Sequence, residues 1–142
     1  MAYRFILPLL LIASAYPATA GGLIETWTAA STTASSITGD VRFSGDKITF
    51  QNGKSLPLQK VGSVTVGDFD GKAVPAMLYK VTKPANLALL MENTLCGRNP
   101  VTYIAVRPFA GCGRSLNVYY GSKQPSGVNS SGLCGTFNYE AR

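Results

Sequence analysis

Histidine is absent from this 142-residue chain. The side chain most often used as a general base near neutral pH is therefore missing, and a Ser-His-Asp triad or a Cys-His dyad is excluded. Most zinc and copper sites also need imidazole. No CxxC pair compensates, so the sequence predicts no metal and no cofactor. Carboxylates are few: Glu25, Asp40, Asp46, Asp68, Asp70, Glu92 and Glu140. No serine stands in a G-x-S-x-G nucleophile frame. Cationic residues outnumber acidic ones, 13 to 7, giving a net charge of +6. They are scattered singly, with no tail or stripe of the kind that tracks nucleic acid, so no nucleic-acid partner is expected. The charge favours an anionic envelope component or an acidic protein.

No apolar run reaches the roughly 20 residues needed to span a bilayer. The first segment instead has the parts of a secretory signal. Arg4 supplies a positive start, residues 5–13 (FILPLLLIA) an apolar stretch, and Ala18-Thr19-Ala20 a small-x-small cleavage site. The expectation is cleavage after Ala20, removing residues 1–20 and leaving one exported domain, 21–142, in a periplasmic or extracellular compartment. Pro8 argues against reading the stretch as a buried helix.

An oxidising compartment makes a disulfide the default use of Cys96, Cys112 and Cys134, and an odd count leaves one over. Cys96 and Cys134 share the frame Leu-Cys-Gly, whereas Cys112 lies between Gly111 and Gly113. The shared frame favours Cys96–Cys134, with Cys112 free. Cys96–Cys112 is the rival pairing, since spacing alone does not fix connectivity.

The remaining pattern is β. Residues 41–43 (VRF) and 48–50 (ITF) alternate. Asn52-Gly53 is a strong hairpin signal of the type I′ kind. Pro57 marks an edge or strand end. Residues 61–66 and 74–81 read as strands around an Asp70-Gly71 turn, and residues 101–106 (VTYIAV), 116–120 and 133–139 follow. Residues 86–93 (NLALLMEN) read as one short helix capped by Asn86. The polar residues 28–40 read as a flexible segment or weak edge strand, and Trp27 as a core plug. Seven to nine short strands with frequent turns predict an all-β fold, a small antiparallel sandwich or barrel.

Three candidate sites follow. Arg98, Arg107 and Arg114 flank a strand bearing Tyr103, a mix suited to a binding surface. Asp68 and Asp70 form a close carboxylate pair, available for acid–base work or calcium, although a turn is the favoured reading of them. Cys112 beside Arg114 has the setting of an activated thiol but lacks a histidine partner. The leading reading is a non-catalytic exported binding protein, an inhibitor or an envelope-associated ligand binder. The alternatives are a histidine-free enzyme using Asp68/Asp70 or Cys112, and a structural envelope protein. In size and compartment the chain resembles small periplasmic inhibitor and ligand-binding proteins of bacteria, with no motif of such a family on its residues.

Overall fold

The computed structural model describes residues 23–142, so the expected signal and its cleavage site lie outside the described residues. Eight strands follow in order: β1 (Glu25–Ala29), β2 (Val41–Phe43), β3 (Lys47–Thr49), β4 (Ser55–Gly67), β5 (Ala73–Ala85), β6 (Val101–Phe109), β7 (Gly113–Tyr120) and β8 (Leu133–Ala141). Each pairs antiparallel with the next. β8 returns to β1 with Trp27 opposite Ala141 and Ala29 opposite Tyr139, which closes a barrel. Of the two all-β alternatives, the barrel is the one formed.

Closure follows from period-two patterning. Trp27, Ile48, Leu56, Val81, Ile104, Leu116, Val118, Phe137 and Tyr139 point into one common core and are almost wholly excluded from solvent. An eight-stranded barrel has an interior just wide enough for side chains to fill. Here Trp27, at 0 % exposure, stacks on Phe43 at 4.8 Å and packs against Tyr139 at 5.6 Å. The Tyr139 hydroxyl shares a 2.8 Å hydrogen bond with Thr38 Oγ1, and burial pushes its phenol well above the ordinary range.

The two barrel ends differ. The end carrying Glu25, Phe43 and Arg114 has three tight turns. The opposite end has long connections, residues 30–40, 86–100 and 121–132. Cys96 and Cys134 form a disulfide there, Cα–Cα 5.2 Å, tying the β5–β6 connection to the start of β8. Cys112 is free and exposed in the β6–β7 turn at the other end.

Several local expectations are corrected. Residues 86–93 form no regular helix. Only a 3₁₀ turn, Leu90–Glu92, occurs, with Met91 and Glu92 at positive φ. The segment is instead held by side-chain amides that tie it to other parts of the chain: Asn52 Nδ2 donates to the Ala88 carbonyl, and the segment's own Asn93 Nδ2 donates to that of Ser36. A piece this short has too few internal hydrogen bonds to set its own form. The polar residues 28–40 contain the end of β1 and a helical turn, π-wound at Ala34–Thr38, that buries Ala34 and Thr38. Thr38 can be buried because its hydroxyl meets the Ala34 and Gly39 carbonyls and Tyr139. At Asn52-Gly53 the loop spans three residues, closed by Phe50 N–H to the Lys54 carbonyl, and of this pair only Gly53 has positive φ. This is a turn with a bulge, not a two-residue type I′ turn.

Pro57 does not end a strand. β4 runs for 13 residues, pairing with β3 over Ser55–Pro57 and then with β5 from Leu58. Leu58 gives its N–H to Asp46 on the β3 side, so the Pro57 nitrogen faces β5 just before that ladder begins. The missing donor costs no hydrogen bond there. A bulge at Val61, with Gly62 at φ +147°, then turns the β4–β5 hairpin away from the barrel line. The β5–β6 ladder stops at Met77–Val106, and Pro75 and Pro108 would come opposite each other if the register continued. Neither offers an N–H.

The freed half of the hairpin lies over the outer wall. Val66, Ala76 and Leu78 pack there with Tyr103, Ala105 and Tyr119 in a second buried cluster, backed by Val64 and Val74. The β7–β8 connection borders it, with Pro125 buried and Val128 beside Gly67.

Candidate functional site

At the short-turn end, β1 and β7 bring Glu25 and Arg114 together. They are 89 positions apart in sequence. Arg114 Nε donates to Glu25 Oε2 at 3.1 Å, and the Trp27 indole N–H donates to the same oxygen at 2.6 Å. Phe43 and Tyr79 stand beside them, ring centroids 5.3 Å apart. The Arg114 guanidinium, helped by the indole N–H and opposed by partial burial, holds the Glu25 carboxyl below its ordinary range. Burial, with the Glu25 charge, raises the Tyr79 phenol. This arrangement caps the aromatic interior and occupies both charged groups with each other.

A folded pKa below the unfolded one adds stability above the ordinary carboxylate pKa and removes it as pH falls through the lowered value. The thermal midpoint should therefore drop on acidification through and below the carboxylate range. Glu25→Gln should flatten that limb. Melting curves taken between neutral pH and about pH 3 read this directly, and identical limbs for both proteins would show that the pair is screened.

A second constellation lies on the outer wall at the same end. The hairpin tip overhangs β6, β7 and β8 and encloses a recess of about 260 Å³ lined by Asp68, Phe69, Arg107, Ser115, Thr136 and Asn138. The Arg107 guanidinium sits 5.5 Å from the Phe69 ring centre and 5.3 Å from that of Phe109. Those two rings meet edge to face at 5.8 Å. Such flanking rings hold a cation by their quadrupoles. Ser115 is 2 % exposed. Asn138 Oδ1 is buried with no hydrogen-bond partner among the described residues, an uncommon state for a polar atom. The recess thus combines a fixed cation with an acceptor that lacks a donor.

The expected arginine group is divided by this geometry. Arg107 and Arg114 stand on neighbouring strands at one end, with Arg107 facing outward and Arg114 turned to Glu25. Arg98 is exposed in the β5–β6 connection, before the far end of β6. Six residue steps along the strand from Val101 to Arg107 put the two ends about 20 Å apart. Tyr103 is 8 % exposed within the outer-wall cluster and presents little surface.

Asp68 and Asp70 do not meet as a pair. Asp68 Oδ1 accepts the N–H groups of Asp70 and Lys72, which makes the turn that the sequence offers as the bland alternative. Asn129-Ser130-Ser131 has the form of a glycosylation sequon, and Asn129 lies exposed in the β7–β8 connection.

The sequence reading missed Glu25, Phe69 and Asn138. Phe69 carried a signal, an aromatic residue inside a turn, Asp68-Phe69-Asp70-Gly71, where burial is not available. Glu25 carried none, because its partner is set by barrel closure.

Comparison with known proteins adds no assignment: no family model, curated protein or solved structure matches the chain. The class that fold and site define is an eight-stranded antiparallel barrel with a side-chain-filled interior and a polar recess on its outer wall.

Proposed function

We propose that this chain is an exported, non-catalytic binding domain that engages its partner through the outer wall at Arg107. The observation that carries this reading is the recess under the hairpin tip, where a ring-clamped guanidinium and the unpartnered Asn138 Oδ1 lie together. The barrel interior is an unsuitable ligand site because Trp27, Phe137 and Tyr139 fill it. A group that carries an anionic acceptor beside an N–H or O–H donor matches the recess, as an acidic side chain next to a peptide amide does. The exposed Phe69 supplies apolar contact area at its rim.

The test is retention of the purified protein on envelope extract, with the captured component identified by mass spectrometry. Arg107→Ala should lower retention about tenfold or more, and retention by the wild type should fall as salt rises, since exposed charge contacts are screened over about 8 Å at physiological ionic strength. Arg98→Ala, on the far end, should bind as the wild type does. Equal retention by Arg107→Ala and wild type would remove the recess from consideration.

A further inference from the structure

We infer that the free edge of β4 is a docking site for a short, extended, acidic strand of a partner protein. A closed barrel has no sheet edges, but this one opens where the hairpin leaves the wall. β3 accompanies β4 only as far as Pro57, and from Leu58 to Gly67 β5 is the only strand paired with β4 among the described residues. Hydrogen-bond parity identifies the unpaired groups. Asp68 bonds to Lys72 across the hairpin, so Val66, Val64 and Gly62 also direct their N–H and C=O groups to β5. Ser63 and Thr65 direct theirs the other way. Pro75, opposite Thr65, fits this parity because that pair exchanges no hydrogen bond.

These outward groups face a groove of about 540 Å³. Val61–Thr65 form one wall, Leu78 and Pro75 lie on the β5 side, and Gln124, Pro125 and Ser126 stand across it. Val128 closes the end at Gly67. The open length, Val61 to Thr65, matches a strand of about four or five residues at 3.3 Å each. Natural edges are usually guarded by lysine, proline or an inward-pointing charge. From Val61 to Gly67 this edge reads VGSVTVG, which has none of these guards. Added strands gain affinity from the main-chain ladder and specificity from flanking side chains.

The charge around the groove selects the occupant. The lining side chains are uncharged; Lys60 and Lys123, both exposed, are the chain neighbours of the lining residues Val61 and Gln124, and residues 59–67 and 121–132 contain no Asp or Glu. An acidic strand is attracted there, whereas a basic strand or a second copy of this basic protein meets like charge. The site is separate from the Arg107 recess and does not depend on it.

The test uses the purified protein and two labelled eight-residue peptides, one alternating Val and Glu, the other alternating Val and Lys. Fluorescence anisotropy should show binding of the acidic peptide and at least tenfold weaker binding of the basic one. Amide exchange should slow at Ser63 and Thr65 with the acidic peptide present. Thr65→Pro removes an outward donor without touching the β5 ladder and should weaken binding about tenfold. Lys60→Glu with Lys123→Glu, which leaves the backbone intact, should reverse the preference between the peptides. No binding of the acidic peptide, or binding without slowed exchange at Ser63 and Thr65, overturns the proposal. Concentration-dependent protection of those amides without peptide overturns it in favour of a second copy. The Arg107→Ala retention result bears on neither outcome.

Discussion

Replacing Cys96 and Cys134 together by serine should lower the unfolding free energy by about 3–4 kcal/mol. The bond closes a 38-residue separation, and loop-closure entropy of that length accounts for this magnitude in the chain-entropy account of crosslinks. The double variant is the cleaner one, because Cys134→Ser alone leaves Cys96 as a thiol that can pair with Cys112 in the unfolded chain or between molecules. Urea and thermal melts of wild type, reduced wild type and the double variant should place the last two together and well below the first. Coincident melts for all three would show that the packing of Leu89 and Leu95 holds the long-connection end without the crosslink.

Trp27→Ala should cost about 3–5 kcal/mol, the range for truncating a large buried aromatic residue. The side chain is fully buried, stacks on Phe43, packs on Tyr139 and gives its indole N–H to Glu25. Truncation leaves a hole near the barrel axis and frees one oxygen of Glu25 from a donor, so the Glu25–Arg114 pair should loosen as well. Urea unfolding followed by circular dichroism gives the comparison, since the variant has no tryptophan left to report. A loss below about 1 kcal/mol would mean that Phe43 and Tyr79 collapse into the space.

Much of the fold was legible in the sequence where local chemistry decides it. Residues 101–106 form a strand because β-branched and aromatic residues suit a pleated wall. Gly53 and Gly71 take positive φ in the turns that their dipeptides mark. The Leu-Cys-Gly frames correspond to the bonded cysteines. Features that depend on distant partners were not legible. The β4 and β5 strands run through Pro57 and Pro84 because each missing N–H falls where the neighbouring ladder is absent or shifted, which needs the register to be known. Residues 86–93 have a helical apolar spacing, yet amides from Asn52 and Asn93 and the nearby disulfide shape them otherwise. In the candidate site, the arginines were visible, but not which way they face. Arg107 meets Phe69 only because the hairpin folds back, and Arg114 meets Glu25 only because the barrel closes.

That closure also sets an order of events. β8 supplies both the seam with β1 and one cysteine of the crosslink, and it is synthesised after the other seven strands. Until those residues leave the ribosome, β1 has no partner on one side and Trp27 lacks Tyr139. Before that point the barrel seam and the crosslink are both missing, however quickly the inner hairpins assemble. Seam and crosslink therefore depend on the same strand, and removing β8 would cost the protein both at once.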